Sequence, residues 1–103
     1  MMPFTHLTNG DNCEIVVDRR IDGETANQLE IELLAIEKTS TKKAYINLAA
    51  CTFICSAGIR VILQYHRRFK TAHRSLLVSR LSPEADQILE LTGFKDSIVE
   101  PNH

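Results

Sequence analysis

The segment from Ala44 to Ile59 contains no charged side chain, and it constrains the fold of this 103-residue chain more than any other feature. Its first part, Ala44 to Leu48, is a short apolar strand of the kind that occupies the centre of a sheet. An amphipathic helix is predicted from about Ser56 to His73, and another short strand from Ser75 to Ser79. Strand, helix and strand within about 35 residues form a βαβ unit, so we expect two parallel strands with a right-handed crossover.

Polar residues argue against membrane insertion of this uncharged segment. It contains Asn47, Thr52 and Ser56, and Arg60 ends it before the roughly 20 apolar residues that a spanning helix needs. The chain also begins without the basic segment and apolar run of a secretory signal. We therefore expect a cytoplasmic protein with no direct insertion into a membrane.

The residues before Ala44 predict a hairpin and a first helix. Asn9-Gly10 lies between two strand-like runs, Phe4 to Leu7 and Cys13 to Asp18, and Asn-Gly in that position is typical of a β-hairpin. A helix is predicted to begin at Thr25, which fits a capping box with Gln28. Its inward stripe consists of Ala26, Leu29, Leu33 and Ile36.

The last helix has clear boundary residues at both ends. Ser82 is a natural N-cap, Pro83 occupies the first helical position, and Gly93 follows the last turn. A small apolar patch or a short last strand is predicted after it, at Phe94, Ile98 and Val99. The predicted fold is a single α/β domain over residues 1–103, with one mixed sheet of four to five strands packed against helices.

The charge balance excludes several functional classes. Twelve Lys and Arg residues stand against thirteen Asp and Glu, so no excess of one sign indicates binding to nucleic acid or to a membrane surface.

We interpret a basic run on the second helix as a solvated face, with an acidic protein surface as the alternative partner; it comprises His66, Arg67, Arg68, Lys70, His73 and Arg74. No Gly-rich phosphate loop and no nucleophile–base pair is recognisable, so neither an enzyme nor a cofactor is predicted.

The three cysteines, Cys13, Cys51 and Cys55, are an odd number without repeated spacing, which argues against a disulfide framework. Cys51 and Cys55 lack the paired ligands of a zinc site, so no metal site is predicted. We interpret them as small, semi-buried apolar residues. Cys55 lies near a helix N-terminus, where a lowered thiol pKa and redox sensitivity are an open alternative.

Ser56 is the residue on which a functional hypothesis can be based. Ligand and partner sites gather beyond the carboxyl ends of parallel strands, and Ser56 lies there, at or next to the N-cap of the second helix. The helix dipole and its unpaired N–H groups would tolerate a phosphate at that position. From spacing alone, Ser56 either caps the helix or accepts a phosphate, and caps are the commoner of the two.

The segment from Ile46 to Ile59 resembles the signature of the STAS domain, the fold of bacterial anti-sigma factor antagonists. That family shows an apolar strand with Asp-Leu, a small loop and then Phe-Ile-Asp-Ser-Ser-Gly-Leu; the corresponding residues here include Phe53-Ile54-Cys55-Ser56-Ala57-Gly58-Ile59. The resemblance covers nearly the whole chain. Further similar segments are Arg20-Ile21-Asp22 with Thr25-Ala26, Arg67-Arg68-Phe69-Lys70, and Leu89-Glu90-Leu91-Thr92-Gly93-Phe94.

This resemblance implies a STAS-like domain that switches partners. A serine kinase of the GHKL type, itself the anti-sigma factor, would bind the chain and phosphorylate Ser56, and a phosphatase would reset it. The expected partner-binding residues beside the phosphoacceptor Ser56 are Asp22, Cys51, Thr52, Phe53, Cys55, Ala57, Gly58 and Arg60. Three positions depart from the family pattern: Asn47 and Cys55 replace Asp, which makes the site less acidic, and Ala57 replaces a second Ser or Thr.

Two other functions are compatible with the same residues. A STAS accessory subunit of a membrane transport complex would act as a structural brace, with Ser56 as a helix cap only. A nucleotide or small-molecule sensor would use the same helix N-terminus.

Overall fold

The computed structural model describes residues 4–101, which form a four-stranded mixed sheet with helices. The strands are β1 (Thr5–Asn9), β2 (Asn12–Val16), β3 (Lys43–Leu48) and β4 (Ser75–Leu81), and they lie in that spatial order. β1 pairs with β2 antiparallel, whereas β2–β3 and β3–β4 are parallel. The predicted fold class, the central position of β3 and the parallel βαβ unit are thus confirmed. The single-domain prediction extends over residues 1–3 and 102–103, which lie outside the described residues.

The β1–β2 connection is the predicted hairpin with a shifted turn. Asn9 pairs with Asn12, so Gly10 and Asp11 occupy the turn and Asn9 ends the strand. Gly10 has a φ of 62°, which glycine adopts without a steric penalty at the first turn position. β2 ends at Val16, two residues before the predicted Asp18; the Val17 N–H still donates to the Asn47 carbonyl at 3.0 Å, and the chain then leaves the sheet towards the first helix.

Four helices complete the described chain. They are α1 (Gly23–Glu37), α2 (Ser56–Thr71), α3 (Pro83–Thr92) and α4 (Lys95–Ile98). The boundaries predicted for α3 are confirmed: the Ser82 hydroxyl accepts a hydrogen bond from the Ala85 N–H, and Gly93 is left-handed with φ 78°. The short α4 was not predicted. After it, Val99 forms a single parallel bridge with Val78, so the chain adds no full fifth strand among the described residues.

The predicted cap of α1 was wrong. Asp22 is the N-cap, and its Oδ1 accepts a hydrogen bond of 2.9 Å from the Thr25 N–H. Thr25 lies inside the first turn and is buried, so its side chain does not cap the helix. A carboxylate three residues earlier satisfies that N–H and carries the charge that the helix N-terminus favours.

One face of the sheet carries the core. Ile15, Ile46 and Val78 are aligned across β2, β3 and β4, and all three are fully buried. The predicted stripe of α1 is buried as well, and α2 contributes Val61, Ile62, Tyr65 and Phe69. α2 ends at Thr71, two residues before the predicted His73, because the chain turns through a positive φ of 60° at His73 before it enters β4; Ala72 is exposed.

Three of the six residues of the predicted basic run form contacts within the fold. The Arg68 guanidinium donates two hydrogen bonds to the Glu37 carboxylate, and His66 Nδ1 lies 2.9 Å from the Leu76 carbonyl oxygen. Arg74 donates to the carbonyl oxygens at the end of α1. These contacts join α2 and its C-terminal turn to α1 and β4, so the run is only partly a solvated face.

Within residues 4–101 no helix has the length and apolarity needed to cross a membrane.

Arg74 caps the C-terminus of α1 from outside that helix. Its guanidinium donates to the carbonyl oxygens of Thr41 at 2.7 Å and Glu37 at 2.8 Å, and it lies 4.4 Å from the centroid of the Phe69 ring. Two longer bonds reach Ile36 and Thr39. The last turn of α1 has no basic residue of its own; Arg74 supplies a charged donor to the Glu37 carbonyl, whereas the Ile36 carbonyl also accepts from Lys38 and Thr39.

We therefore expect Arg74→Gln to lower the free energy of unfolding by about 1–3 kcal/mol, because several carbonyl oxygens lose a charged donor. Urea denaturation measures this change. Arg67→Gln is the matched control, since Arg67 is exposed and forms no hydrogen bond or ion pair within the described chain; it should shift stability by less than about 0.5 kcal/mol. Equal stabilities of the two variants would contradict this role.

Candidate functional site

The loop between β3 and α2 is joined to the segment that precedes α1. Ile21 and Ile54 form an isolated parallel bridge. Its two hydrogen bonds run from the Ile21 N–H to the Phe53 carbonyl at 2.7 Å and from the Cys55 N–H to the Ile21 carbonyl at 2.8 Å. This bridge places Asp22, thirty-odd positions away in sequence, beside the start of α2, as the resemblance implied.

The exposed part of this region forms one surface, here called the Ser56 surface. Asp22, Thr52, Ser56 and Arg60 are exposed, and Phe53 retains 38% of its accessible area. Cys55 and Ala57 are half-buried within the same surface. The structure adds one residue that the sequence prediction omitted: the Arg20 guanidinium lies 4.9 Å from the centroid of the Phe53 ring. Stacking of this kind restrains an exposed aromatic ring.

Cys51 lies beneath the Ser56 surface and supports the loop from inside. It is fully buried; its N–H donates to the Leu48 carbonyl at 3.1 Å, and its thiol lies 3.3 Å from the Phe53 carbonyl. Burial raises the pKa of this thiol and keeps it protonated at neutral pH. The prediction that Cys51 contacts a partner therefore needs correction, because a side chain without exposed area cannot do so.

Gly58 also lies beneath the surface rather than on it. A Cβ built on Gly58 would lie 2.6 Å from Ile21 Cγ2 and 3.1 Å from Ile54 Cγ2, and the residue is buried. The missing side chain lets the first turn of α2 pack against the bridge between Ile21 and Ile54. Gly58 thus lets the helix start that carries Ser56 pack closely against the bridge. The prediction that Gly58 contacts a partner needs the same correction as that for Cys51, because the residue is buried.

Ser56 is the first residue of α2 and does not cap it. The N-cap is Cys55, in extended backbone with φ −76° and ψ 169°, and its side chain forms no capping hydrogen bond. The first backbone bond of the helix runs from the Ile59 N–H to the Cys55 carbonyl at 3.1 Å. No acidic residue occupies the first turn. The interpretation of Ser56 as a cap is therefore wrong: its hydroxyl is exposed and makes no hydrogen bond within residues 4–101.

Asn47, which stands where the family pattern has a carboxylate, forms hydrogen bonds through both ends of its amide. Its Oδ1 accepts the Ala49 N–H at 3.0 Å and fixes the start of the loop. Its Nδ2 lies 3.5 Å from Glu14 Oε2, which also accepts a hydrogen bond of 3.1 Å from the Ser79 hydroxyl. An aspartate at position 47 would place a second negative charge next to Glu14, whereas the amide supplies a donor.

The Asp22 carboxylate contributes a fixed negative charge to the Ser56 surface. The hydrogen bond from the Thr25 backbone N–H lowers its pKa, and the nearby Arg20 charge acts in the same direction. A lowered pKa in the folded state means that the cap is fully stabilising above the ordinary pKa of the carboxyl and is lost as the pH falls through the folded value. At neutral pH Asp22 is therefore ionised.

A groove of about 580 Å³ extends from Ser56 along the outer face of α2, here called the α2 groove. Its lining consists of Ser56, Ile59, Arg60, Leu63, Gln64 and Arg67. Ile59 and Leu63 form a half-buried apolar floor, and the two arginines flank it. Only Ser56 and Arg60 were predicted site residues. Spacings of three and four residues from Ser56 would have identified the others.

Residues 4–101 contain no group of three His, Cys, Asp or Glu side chains arranged to hold a metal ion. At the Ser56 surface itself the only side chains of that kind are Asp22 and Cys55. The arrangement is suited to contact with another macromolecule: an exposed hydroxyl, an exposed aromatic ring, an apolar floor and charges of both signs.

Ser82 connects α3 to the loop beneath the Ser56 surface. Its hydroxyl donates to the Cys51 carbonyl and accepts from the Ala85 N–H at 2.9 Å, and its backbone N–H donates to the Leu48 carbonyl at 3.0 Å. The residue is 5% exposed, so water cannot replace these partners. One buried hydroxyl therefore holds both the start of α3 and the loop that precedes Ser56.

Ser82→Ala is expected to lower the free energy of unfolding by about 2 kcal/mol, through loss of a helix cap and of the donor to a buried carbonyl. Chemical denaturation provides the measurement. Ser97→Ala, at an exposed position of α4, is the control and should leave stability within about 0.5 kcal/mol. A Ser82→Ala protein as stable as this control would show that the hydroxyl does not anchor the loop.

The fold and the Ser56 surface together define a small α/β domain with an exposed serine at the first residue of α2. The STAS domain family model matches residues 5–103, and the chain therefore belongs to the STAS domain family.

A curated relative agrees with this assignment, and solved structures share the fold. BtrV of Bordetella bronchiseptica, named as an anti-sigma factor antagonist, is 28% identical over 74 residues, which are 72% of this chain and 64% of that protein. A structure of an anti-sigma factor antagonist from Mycobacterium paratuberculosis has a TM-score of 0.84 at 21% identity, with coverage of 96% of this chain and 85% of that one. Unphosphorylated SpoIIAA, also an anti-sigma factor antagonist, has a TM-score of 0.78 at 16% identity over 90% and 83% of the two chains.

Proposed function

We propose that this chain is an anti-sigma factor antagonist that acts in the cytoplasm and is switched by phosphorylation of Ser56. The observation that carries the proposal is the position of the Ser56 hydroxyl: exposed, at the first residue of α2, and used neither as a cap nor as a partner of any described residue. The names of the relatives support the class of function. Solved forms of SpoIIAA with and without phosphate support the kind of switch.

The unmodified chain binds its partner through the Ser56 surface and the α2 groove. The exposed Phe53 ring and the apolar floor of the groove supply the area that becomes buried, while Asp22 and Arg60 supply charges that orient the partner. Among the predicted contacts, those offering exposed side-chain atoms are Asp22, Thr52, Phe53, Cys55, Ala57 and Arg60. The function is regulated contact, with no chemical step performed by this chain.

Phosphorylation disrupts this contact by adding charge to the interface. A GHKL-type serine kinase, which is also the anti-sigma factor, transfers the γ-phosphoryl group of ATP to Ser56. A bond forms between Oγ and phosphorus, the bond to ADP breaks, and the hydroxyl proton passes to a base on the kinase. The resulting phosphate carries about −1.5 to −2 charges, which is costly to desolvate beside an apolar floor. A phosphatase removes it and restores binding.

The test combines capture with mass measurement. The unmodified chain is used as bait in lysate of its native cell, and the captured serine kinase is then incubated with the chain and ATP. Intact mass is expected to increase by one phosphate in wild type and not at all in Ser56→Ala. Absence of the phosphorylated species in wild type, or its persistence in Ser56→Ala, would contradict the proposal. Capture of transporter subunits in place of a kinase would favour the accessory-subunit alternative.

A further inference from the structure

Arg60 differs from most other arginines of the described chain in having no intramolecular partner. Arg68 binds Glu37, Arg74 binds the end of α1, and Arg20 stacks on Phe53. Arg60 is exposed and forms no hydrogen bond, ion pair or ring contact within residues 4–101. It lines the α2 groove together with Ser56, which lies four residues earlier on the same helix.

We propose that Arg60 binds the phosphate of phosphorylated Ser56 and that this pairing withdraws its guanidinium from an acidic group of the partner. The inference rests on the proposed function, since it assigns a role within the phosphorylated state. In the unmodified protein Arg60 is free for a carboxylate of the partner. After phosphorylation the same guanidinium pairs within the chain, so the partner loses an attractive charge and meets a negative one.

The spacing and order of the two residues favour this pair. Side chains four residues apart are neighbours on a helix surface, and an anion that precedes its cation by four residues is the better of the two orders. A guanidinium also matches phosphate oxygens with two parallel N–H donors. Arg67 lines the same groove but lies eleven residues from Ser56, which is about 16 Å along the helix axis. It therefore provides a matched control on the same face.

Phosphorus-31 NMR titration tests this pairing without a kinase. Phosphoserine is encoded at position 56 in the full chain, in wild type, in Arg60→Gln and in Arg67→Gln. The second pKa of the phosphate is ordinarily about 6, and a bound guanidinium lowers it because it favours the dianion. Arg60→Gln is expected to raise that pKa by on the order of 0.3 unit relative to wild type, whereas Arg67→Gln should leave it unchanged.

An unchanged phosphate pKa in Arg60→Gln, or an equal shift in both variants, would overturn the assignment. Both substitutions are at exposed helix positions where glutamine is well tolerated, so thermal unfolding should confirm that the variants remain folded. Because the phosphoserine is installed during synthesis, the result is independent of any kinase. Failure of the Arg60 pairing would leave phosphorylation by the kinase intact, and failure of kinase phosphorylation would not alter the titration.

Discussion

Gly58→Ala is expected to lower the free energy of unfolding by about 1–3 kcal/mol and to disturb the Ser56 surface at the same time. The added methyl group would meet Ile21 Cγ2 at 2.6 Å, closer than real Cβ atoms approach their neighbours. Ile21 is fully buried, and its backbone is held by both hydrogen bonds of the bridge to Ile54, so moving that backbone away would open the bridge. Either α2 shifts outwards or the segment that carries Asp22 does.

Gly23→Ala is the matched control for this substitution. Like Gly58, Gly23 lies in the first turn of a helix, since α1 begins with it. However, no atom lies within 4 Å of a Cβ built on Gly23. Alanine at such a position commonly stabilises by about 0.4–1 kcal/mol through the unfolded state. Urea denaturation of both variants separates overpacking from a general effect of removing glycine. A Gly58→Ala protein as stable as Gly23→Ala would show that the contact with Ile21 does not limit the approach of α2.

A phosphate on Ser56 is expected to weaken binding of the anti-sigma factor by at least about 100-fold, which corresponds to roughly 2.7 kcal/mol. The loss has two sources: desolvation of a dianion beside Ile59 and Leu63, and capture of the Arg60 guanidinium. Ser56→Ala, which removes the acceptor without adding charge, should bind within about 3-fold of wild type, a difference below about 1 kcal/mol.

Calorimetric titration with the anti-sigma factor provides the affinities. The control places the phosphoserine at exposed Ser40, which precedes β3, whereas Ser56 follows it at the opposite end of the strand. A phosphate at position 40 should leave the affinity nearly unchanged. Equal weakening by phosphates at both positions would indicate a general charge effect in place of a local switch.

The apolar run of β3 and the helical spacing of the α1 stripe were sufficient to predict a central strand and the inner face of the first helix. Ala44, Ile46 and Leu48 are fully buried, although Tyr45 and Asn47 between them are only half-buried, and the α1 stripe follows directly from helix geometry. Capping at Ser82 and Gly93 was equally predictable, since each residue serves its own helix end. Local chemistry decides these features.

The burial of individual site residues could not be predicted in the same way. Cys51 and Gly58 lie in the motif next to Ser56, yet their positions are set by Ser82 and Ile21, which are distant in sequence. At the start of α1, Asp22 caps the helix through its carboxylate, while Thr25 lies in the first turn and is buried.

The proposed role of Ser56 as the switch is tested most directly by release of a sigma factor from its anti-sigma factor. A fluorescent label on the sigma factor reports this release. The preformed complex is mixed with the unmodified chain or with the chain carrying phosphoserine at position 56. The unmodified chain is predicted to displace the sigma factor, and the phosphorylated chain is predicted to leave the complex intact until a phosphatase is added. Equal release by both forms, or release by neither, would contradict the assignment of Ser56 as the switch.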